Sequence, residues 1–238
     1  MKRSTNPGRV AGLWYLLLAV FGPLRLIYIP NKLFVPDDAA ATVANIAAHE
    51  WLFRIAIAAD LAGAVVLVML TMAFYRLFTG VDRELAALVV IFGGVMPALL
   101  LFVGVVGDGG ALMAVRGSGF LSAFAEAQRD ALAMLFLRAR DFLNTGAEML
   151  WGVWLWPLGL LAYRSRFLPK FFGVWLIING FAYVILCLSG VLAPQYGSRL
   201  FLWLQPALIG ELAFTLWLVI KGARPPVAAT GSASTAAG

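Results

Sequence analysis

The chain has one cysteine, Cys187, and one histidine, His49. A single thiol excludes an internal disulfide and a cysteine-based metal site, and a single imidazole excludes chemistry that needs two. Charge is also scarce. Asp, Glu, Lys and Arg make up 13% of the 238 residues, against 62% hydrophobic residues. In ordinary soluble domains about a quarter of residues are charged. Too few charged groups are present here to keep a soluble surface wet, so the chain needs a solvent as apolar as itself, and a bilayer is one. The formal charge of +6 would point to nucleic acid in a soluble protein. Here the basic residues sit between apolar stretches, where they act as topology signals, and no nucleic-acid partner is expected. No phosphate-binding loop or dinucleotide fingerprint occurs, so no cofactor is expected either.

What the sequence does have is long apolar runs. A spanning helix needs about 20 mostly apolar residues, and six stretches qualify: roughly 9–30, 51–75, 86–106, 139–163, 170–191 and 200–220. They are continuous rather than alternating, which excludes the strands of a membrane barrel. The fold expected is all-α, a polytopic bundle of about six transmembrane helices. Residues 1–222 form one transmembrane domain, and a disordered cytoplasmic tail covers 223–238, rich in Ala, Gly, Ser and Thr. Lys2, Arg3 and Arg9 precede the first run, but no cleavage site follows promptly, so it reads as an uncleaved helix. With the N-terminus inside, the inside segments carry Lys2, Arg3, Arg9, Arg76, Arg83, Arg164, Arg166, Lys170, Lys221 and Arg224. The outside loops carry only Lys32, Arg116, Arg129 and Arg199. That bias places both ends in the cytoplasm.

Two outer connections are long. In 31–50, Asp37 and Asp38 precede an Ala-rich run and predict an N-capped short helix. The connection 107–138 opens with Gly107, Gly109 and Gly110, read as a turn. It continues as an amphipathic stretch, 119–137, that leads into the fourth span. A faint internal echo links Arg9-Val-Ala-Gly-Leu-Trp with Lys170-Phe-Phe-Gly-Val-Trp, and Asp60-Leu-Ala with Glu211-Leu-Ala. A parallel repeat would give it, and so would shared helix-start and interface residues.

Ionisable groups inside a bilayer are costly, so each is a functional-site candidate. Asp60, Glu148 and Glu211 lie near the midplane of the second, fourth and sixth spans. In the fourth, Arg138, Asp141, Asn144, Thr145 and Glu148 fall within about 120° of one helical face. Such a stripe is expected to face the bundle interior or a cavity open to the outside. Arg25, Arg54 and Gln205 are candidate partners in the outer half. Glu50 and Arg54 also form an i,i+4 pair, which gives Arg54 a local role. Pro206, five residues before Glu211, is positioned to kink the sixth span. Two arrangements fit these residues: a pocket that binds a small polar ligand or ion, or an ion-pair network that only fixes helix registry. An all-carboxylate site for a divalent cation is a lesser alternative. Gly117-Ser118-Gly119 evokes a serine nucleophile, but no histidine follows to act as its base.

Arg9-Val-Ala-Gly-Leu-Trp-Tyr-Leu, Ala58-Ala59-Asp60-Leu, Tyr163-Arg-Ser-Arg-Phe-Leu-Pro-Lys with Gly173, Gly180 and Tyr183, and Gly210-Glu211-Leu with Leu216-Trp217-Leu and Lys221-Gly222 occur in that order. Together they resemble the bacterial membrane proteins grouped as domain of unknown function 4386, over residues 6–222. The resemblance implies an inner-membrane protein of about six spans and no known reaction. It also implies that Asp60 and Glu211 belong to the family pattern. The function expected from the residues is an outward-facing intramembrane pocket, built from Asp60, Arg138, Asp141, Asn144, Glu148, Gln205, Glu211, Arg25 and Arg54, that binds or moves a small ligand or ion. A structural or sensing subunit is the second reading and a lipid-modifying enzyme the third.

Overall fold

Each apolar run folds as a helix, and no strand occurs among the described residues. The structure, a computed structural model, describes residues 6–225. The tail expected over 223–238 lies outside the described residues from 226 onward. In chain order the helices are α1 (Pro7–Leu33), α2 (Ala39–Ala48), α3 (Glu50–Phe78), α4 (Arg83–Arg116), α5 (Glu126–Val153), α6 (Leu155–Arg164), α7 (Lys170–Leu192) and α8 (Gly197–Ile220). Among the described residues five helices, α1, α3, α4, α7 and α8, are long and apolar enough to cross a membrane. The α5–α6 pair, which contains the expected fourth span, falls short of that standard because α5 carries the charged stripe and the rod breaks at Trp154. It nevertheless takes its place among the others. α1 packs on α3, α3 on α4, α4 on α5, and α5 and α6 on α7; α7 then packs on α8, and α8 returns to α1. The result is a closed ring in chain order, an all-α polytopic bundle.

Prolines set the irregularities. A proline ring crowds the carbonyl four residues back and offers it no N–H. Pro30, Pro97 and Pro157 sit four residues after Leu26, Gly93 and Val153. At the first two the chain widens into π turns, Leu24–Tyr28 and Ile91–Val95. At the third, α5 gives way to α6. Two of these turns carry groups that face the ring's centre, Arg25 and Gly93. α8, by contrast, stays helical through Pro206, whose carbonyl accepts from Trp175 Nε1 at 3.0 Å.

Local signals close the ends. Asp38 caps α2, its side chain accepting from Ala41 N at 2.9 Å. Gln128 accepts from Ala125 N at 2.9 Å at the start of α5. Removing the first cap, by Asp38→Ala, is expected to destabilise α2 by about 1 kcal/mol. Hydrogen exchange should read that as faster exchange of the Ala39–Ala48 amides, with α7 unchanged. The two chain ends meet: Gly8 N donates to the Ala223 carbonyl and Ala223 N to Asn6 Oδ1, both at 3.0 Å.

One expectation is corrected here. Gly107, Gly109 and Gly110 do not form a turn. α4 runs through them to Arg116 and ends at Gly117, whose φ of 58° is the left-handed conformation that closes a helix. Of the helix's glycines, Gly104 and Gly110 serve packing instead. A Cβ at Gly104 would lie 2.8 Å from Arg140 Nε, and one at Gly110 2.7 Å from the Phe136 ring. They let α5 approach α4 closely, the role small residues play between membrane helices.

Candidate functional site

A cavity of about 330 Å³ lies inside the ring. All six rods contribute to it, with Tyr15, Gly22 and Arg25 from α1, Asp60 from α3 and Pro97 from α4 among the lining residues. Arg140, Asn144, Trp151 and Trp154 come from the α5–α6 rod, Tyr183 from α7 and Glu211 from α8. Its polar groups form two separate clusters.

The first cluster is a closed square of charges on four consecutive rods. Arg25 Nε donates to Asp60 Oδ2 at 3.0 Å, and Arg25 Nη2 donates to Asp108 Oδ2 at 2.5 Å. Arg140 completes the square, with Nη2 on Asp60 Oδ2 and Nε on Asp108 Oδ2 at 3.4 Å, while its Nη1 donates to Asn144 Oδ1 at 2.5 Å. The four side chains are at most 8% exposed. Two cations and two anions leave the square neutral. Asp108 Oδ1 stays without a partner.

The second cluster lies about 15 Å along α1 from the first, ten residues at the helical rise. Glu211 accepts there from the Tyr15 hydroxyl and from Asn179 Nδ2, the latter at 3.3 Å, and Tyr183 lines the cavity with it. No ion pair among the described residues involves Glu211. Aromatic rings surround it: Tyr15 and Trp154 lie 5.8 Å apart between centroids, and Trp151 and Tyr183 lie 5.9 Å apart.

Apolar clusters lie beyond both ends of the cavity. Ile29, Leu33, Phe53, Ala111, Leu112 and Leu137 stand one or two turns beyond the charged square on the same rods, and Ile46 of α2 joins them. At the other end Ala11, Leu70, Phe74, Leu158 and Phe214 pack together. The sequence places the pocket's mouth on the outer side. In the structure the α2 end is covered by the first of these clusters, because α2 folds its apolar face back onto the bundle.

Of the residues singled out in the sequence, Arg25, Asp60, Asn144 and Glu211 line the cavity. Arg54, Arg138, Asp141, Glu148 and Gln205 do not. Arg54 pairs with Glu50 at 2.6 Å, as the i,i+4 spacing predicts, and Arg116 joins the same carboxylate. Arg138 reaches the exposed Asp37 at 3.2 Å. Asp141 is exposed and Glu148 half-buried. The reason is rotation. The inward face of α5 carries Ala133, Leu137, Arg140 and Ala147, roughly 90° around the helix from the centre of the polar stripe. Arg140, Asp108, Tyr15, Asn179 and Tyr183 are the polar groups that sequence reasoning missed. An arginine on an otherwise apolar face, and small residues recurring every three or four positions in α4, were the signals that pointed to the first two.

A ring of apolar helices around a cavity with buried charges defines a multi-pass membrane protein. The family model described as "Domain of unknown function (DUF4386)" matches residues 10–222, and the chain belongs to that family. An uncharacterized protein of Archaeoglobus fulgidus is 38% identical over 74 residues, 30% of this chain. The matched stretch spans 41% of that relative's length. No solved structure matches.

Proposed function

We propose that this protein, a six-crossing protein of the inner membrane with both ends cytoplasmic, binds or moves a small ligand or ion in its central cavity. The observation that carries the reading is the cavity itself, about 330 Å³, in which Glu211 offers a carboxyl that no basic side chain among the described residues pairs with. A bundle that needed only registry would gain nothing from a space of that size, since voids weaken packing.

Gly22 supplies a direct test. It lines the cavity, and a Cβ there would meet no atom within 4 Å. Gly22→Phe is therefore expected to fold and to fill the space. Tryptophan fluorescence, reporting through Trp151 and Trp154, should change when a panel of organic ions and uncharged polar solutes is titrated into the wild type. The folded variant should lose at least ten-fold in apparent affinity for any solute that responds, because a filled pocket excludes its ligand. An unchanged response in Gly22→Phe would sink the proposal.

A second reading rests on the charged square. It is neutral, buried and spread over four rods, so it fits a network that fixes helix registry in a structural or sensing subunit. On that reading the fluorescence of the wild type responds to none of the solutes.

A further inference from the structure

We propose that the ligand is a lipophilic organic monocation, a quaternary ammonium or a protonated amine, held between Glu211 and the aromatic wall formed by Tyr15, Trp151, Trp154 and Tyr183, and admitted from the bilayer between α1 and α8. The inference rests on the cavity being a binding site and names its ligand class.

Charge is the first argument. Arg25, Arg140, Asp60 and Glu211 are the charged residues lining the cavity. Both arginines are matched within the square by Asp60 and Asp108, so the square presents no net charge. That leaves Glu211 as the lining acid without a basic partner among the described residues, a carboxyl whose charge a bound cation would balance. Its hydrogen-bond donors, the Tyr15 hydroxyl and the Asn179 amide, are neutral and orient the carboxyl without supplying a positive charge. In a low-dielectric interior an uncompensated anion attracts a cation strongly and repels an anion.

The lining is the second. Around Glu211 the walls are aromatic rings and leucines, including Leu18, Leu67, Leu208 and Leu212. A small hydrated metal ion needs several oxygen ligands, and among the described residues no group of three or more His, Cys, Asp or Glu is placed to hold one. Aromatic faces bind cations whose charge is spread over carbon-bearing groups, and an apolar wall takes up the remaining surface.

Access is the third. With both ends under apolar clusters, the lining residues that reach the outer surface include Leu26 of α1 and Leu212 of α8, 46% and 48% exposed. α1 and α8 are pressed together near the chain ends, where a Cβ on Gly12 would lie 2.8 Å from Val219 N, and the space beside Gly22 is open. Leu212 beside Glu211 and Leu26 beside the charged square put exposed lining along this side of the cavity, where a solute that already partitions into the membrane can reach it.

The test uses three phenyl-bearing probes, the first two of one shape. Phenyltrimethylammonium is the cation, tert-butylbenzene its uncharged carbon isostere, and benzoate the anion. Each is titrated into the full-length protein in detergent, with tryptophan fluorescence as the readout. The cation is expected to bind about ten-fold more tightly than its isostere, and benzoate more weakly than either. Glu211→Gln should erase the difference between cation and isostere while leaving the isostere's own affinity unchanged, and Glu211→Asp should retain it. Trp151→Leu should weaken the cation more than the isostere, which keeps the test decisive if Glu211→Gln fails to fold. Equal binding of cation and isostere, or a preference that survives Glu211→Gln, overturns the inference and leaves the binding cavity standing. Binding of none of the three also overturns it, and the Gly22→Phe comparison then decides the cavity separately.

Discussion

Arg140→Met is expected to destabilise the folded bundle by about 3 kcal/mol or more, the usual consequence of removing one partner from a buried ion pair. The substitution keeps the apolar stem of the side chain but leaves Asp60 and Asp108 facing a single arginine. Both carboxylates are essentially buried, so water cannot take over the lost contacts. Asn144 also loses its donor. A second change separates charge imbalance from lost packing. In Arg140→Met with Asp60→Asn, Arg25 and Asp108 remain as a one-to-one pair 2.5 Å apart, and neutrality returns. The double variant is therefore expected to recover at least half of the loss. Thermal unfolding of the purified protein in detergent, followed by far-ultraviolet circular dichroism, measures both. A single variant within about 1 kcal/mol of wild type, or two substitutions whose effects add, would show that the square is not a coupled network.

Gly152→Leu should be as damaging for a different reason. A Cβ at Gly152 would lie 2.5 Å from the Gly180 carbonyl oxygen and 2.8 Å from Val184 Cγ2, and one at Gly159 2.7 Å from the Gly173 carbonyl oxygen. Two glycines seven residues apart on the α5–α6 rod thus meet two glycines seven apart on α7, in antiparallel register, and the backbones touch. Backbone cannot step aside as a side chain can, so the helices must separate. The cost is set at the upper end of overpacking, about 3 kcal/mol. Trp151 and Tyr183 flank the contact, and the aromatic wall of the cavity is lost with it. Gly146→Leu is the matched control. It sits on the same helix, with no atom within 4 Å of an added Cβ, and should run as the wild-type monodisperse peak in size-exclusion chromatography. Aggregation of both variants alike would refute the role assigned to the glycine contact.

Much of the bundle was legible in the sequence. Composition dictated the solvent, continuous apolar runs dictated helices, and short polar signals located the helix ends, as Asp38 and the Glu50–Arg54 pair show. Two acids, Asp60 and Glu211, stood out because an ionisable group in an apolar run has no local explanation. The site was legible only in part. Asp108 was concealed by its neighbours, since glycines that permit close helix approach look the same in one dimension as glycines that make a turn. Arg140 was passed over for Arg138 and Asp141 because the polar stripe of α5 drew attention to the wrong quarter of the helix. Tyr15, Asn179 and Tyr183 carry no charge and gave no warning that they surround Glu211.

By itself the sequence determined that this protein is a bundle of apolar membrane-crossing helices with ionisable groups inside its spans. Free energy of transfer depends on residue type and on run length, and both can be read in order along the chain. Tertiary structure alone decided which charges meet. The rotation of each helix about its own axis is set by the helix packed against it, through contacts such as Gly104 on Arg140 and Gly152 on Gly180. That rotation paired Arg25 and Arg140 with Asp60 and Asp108, turned Asp141 outward, and left Glu211 facing the cavity with no cationic partner among the described residues.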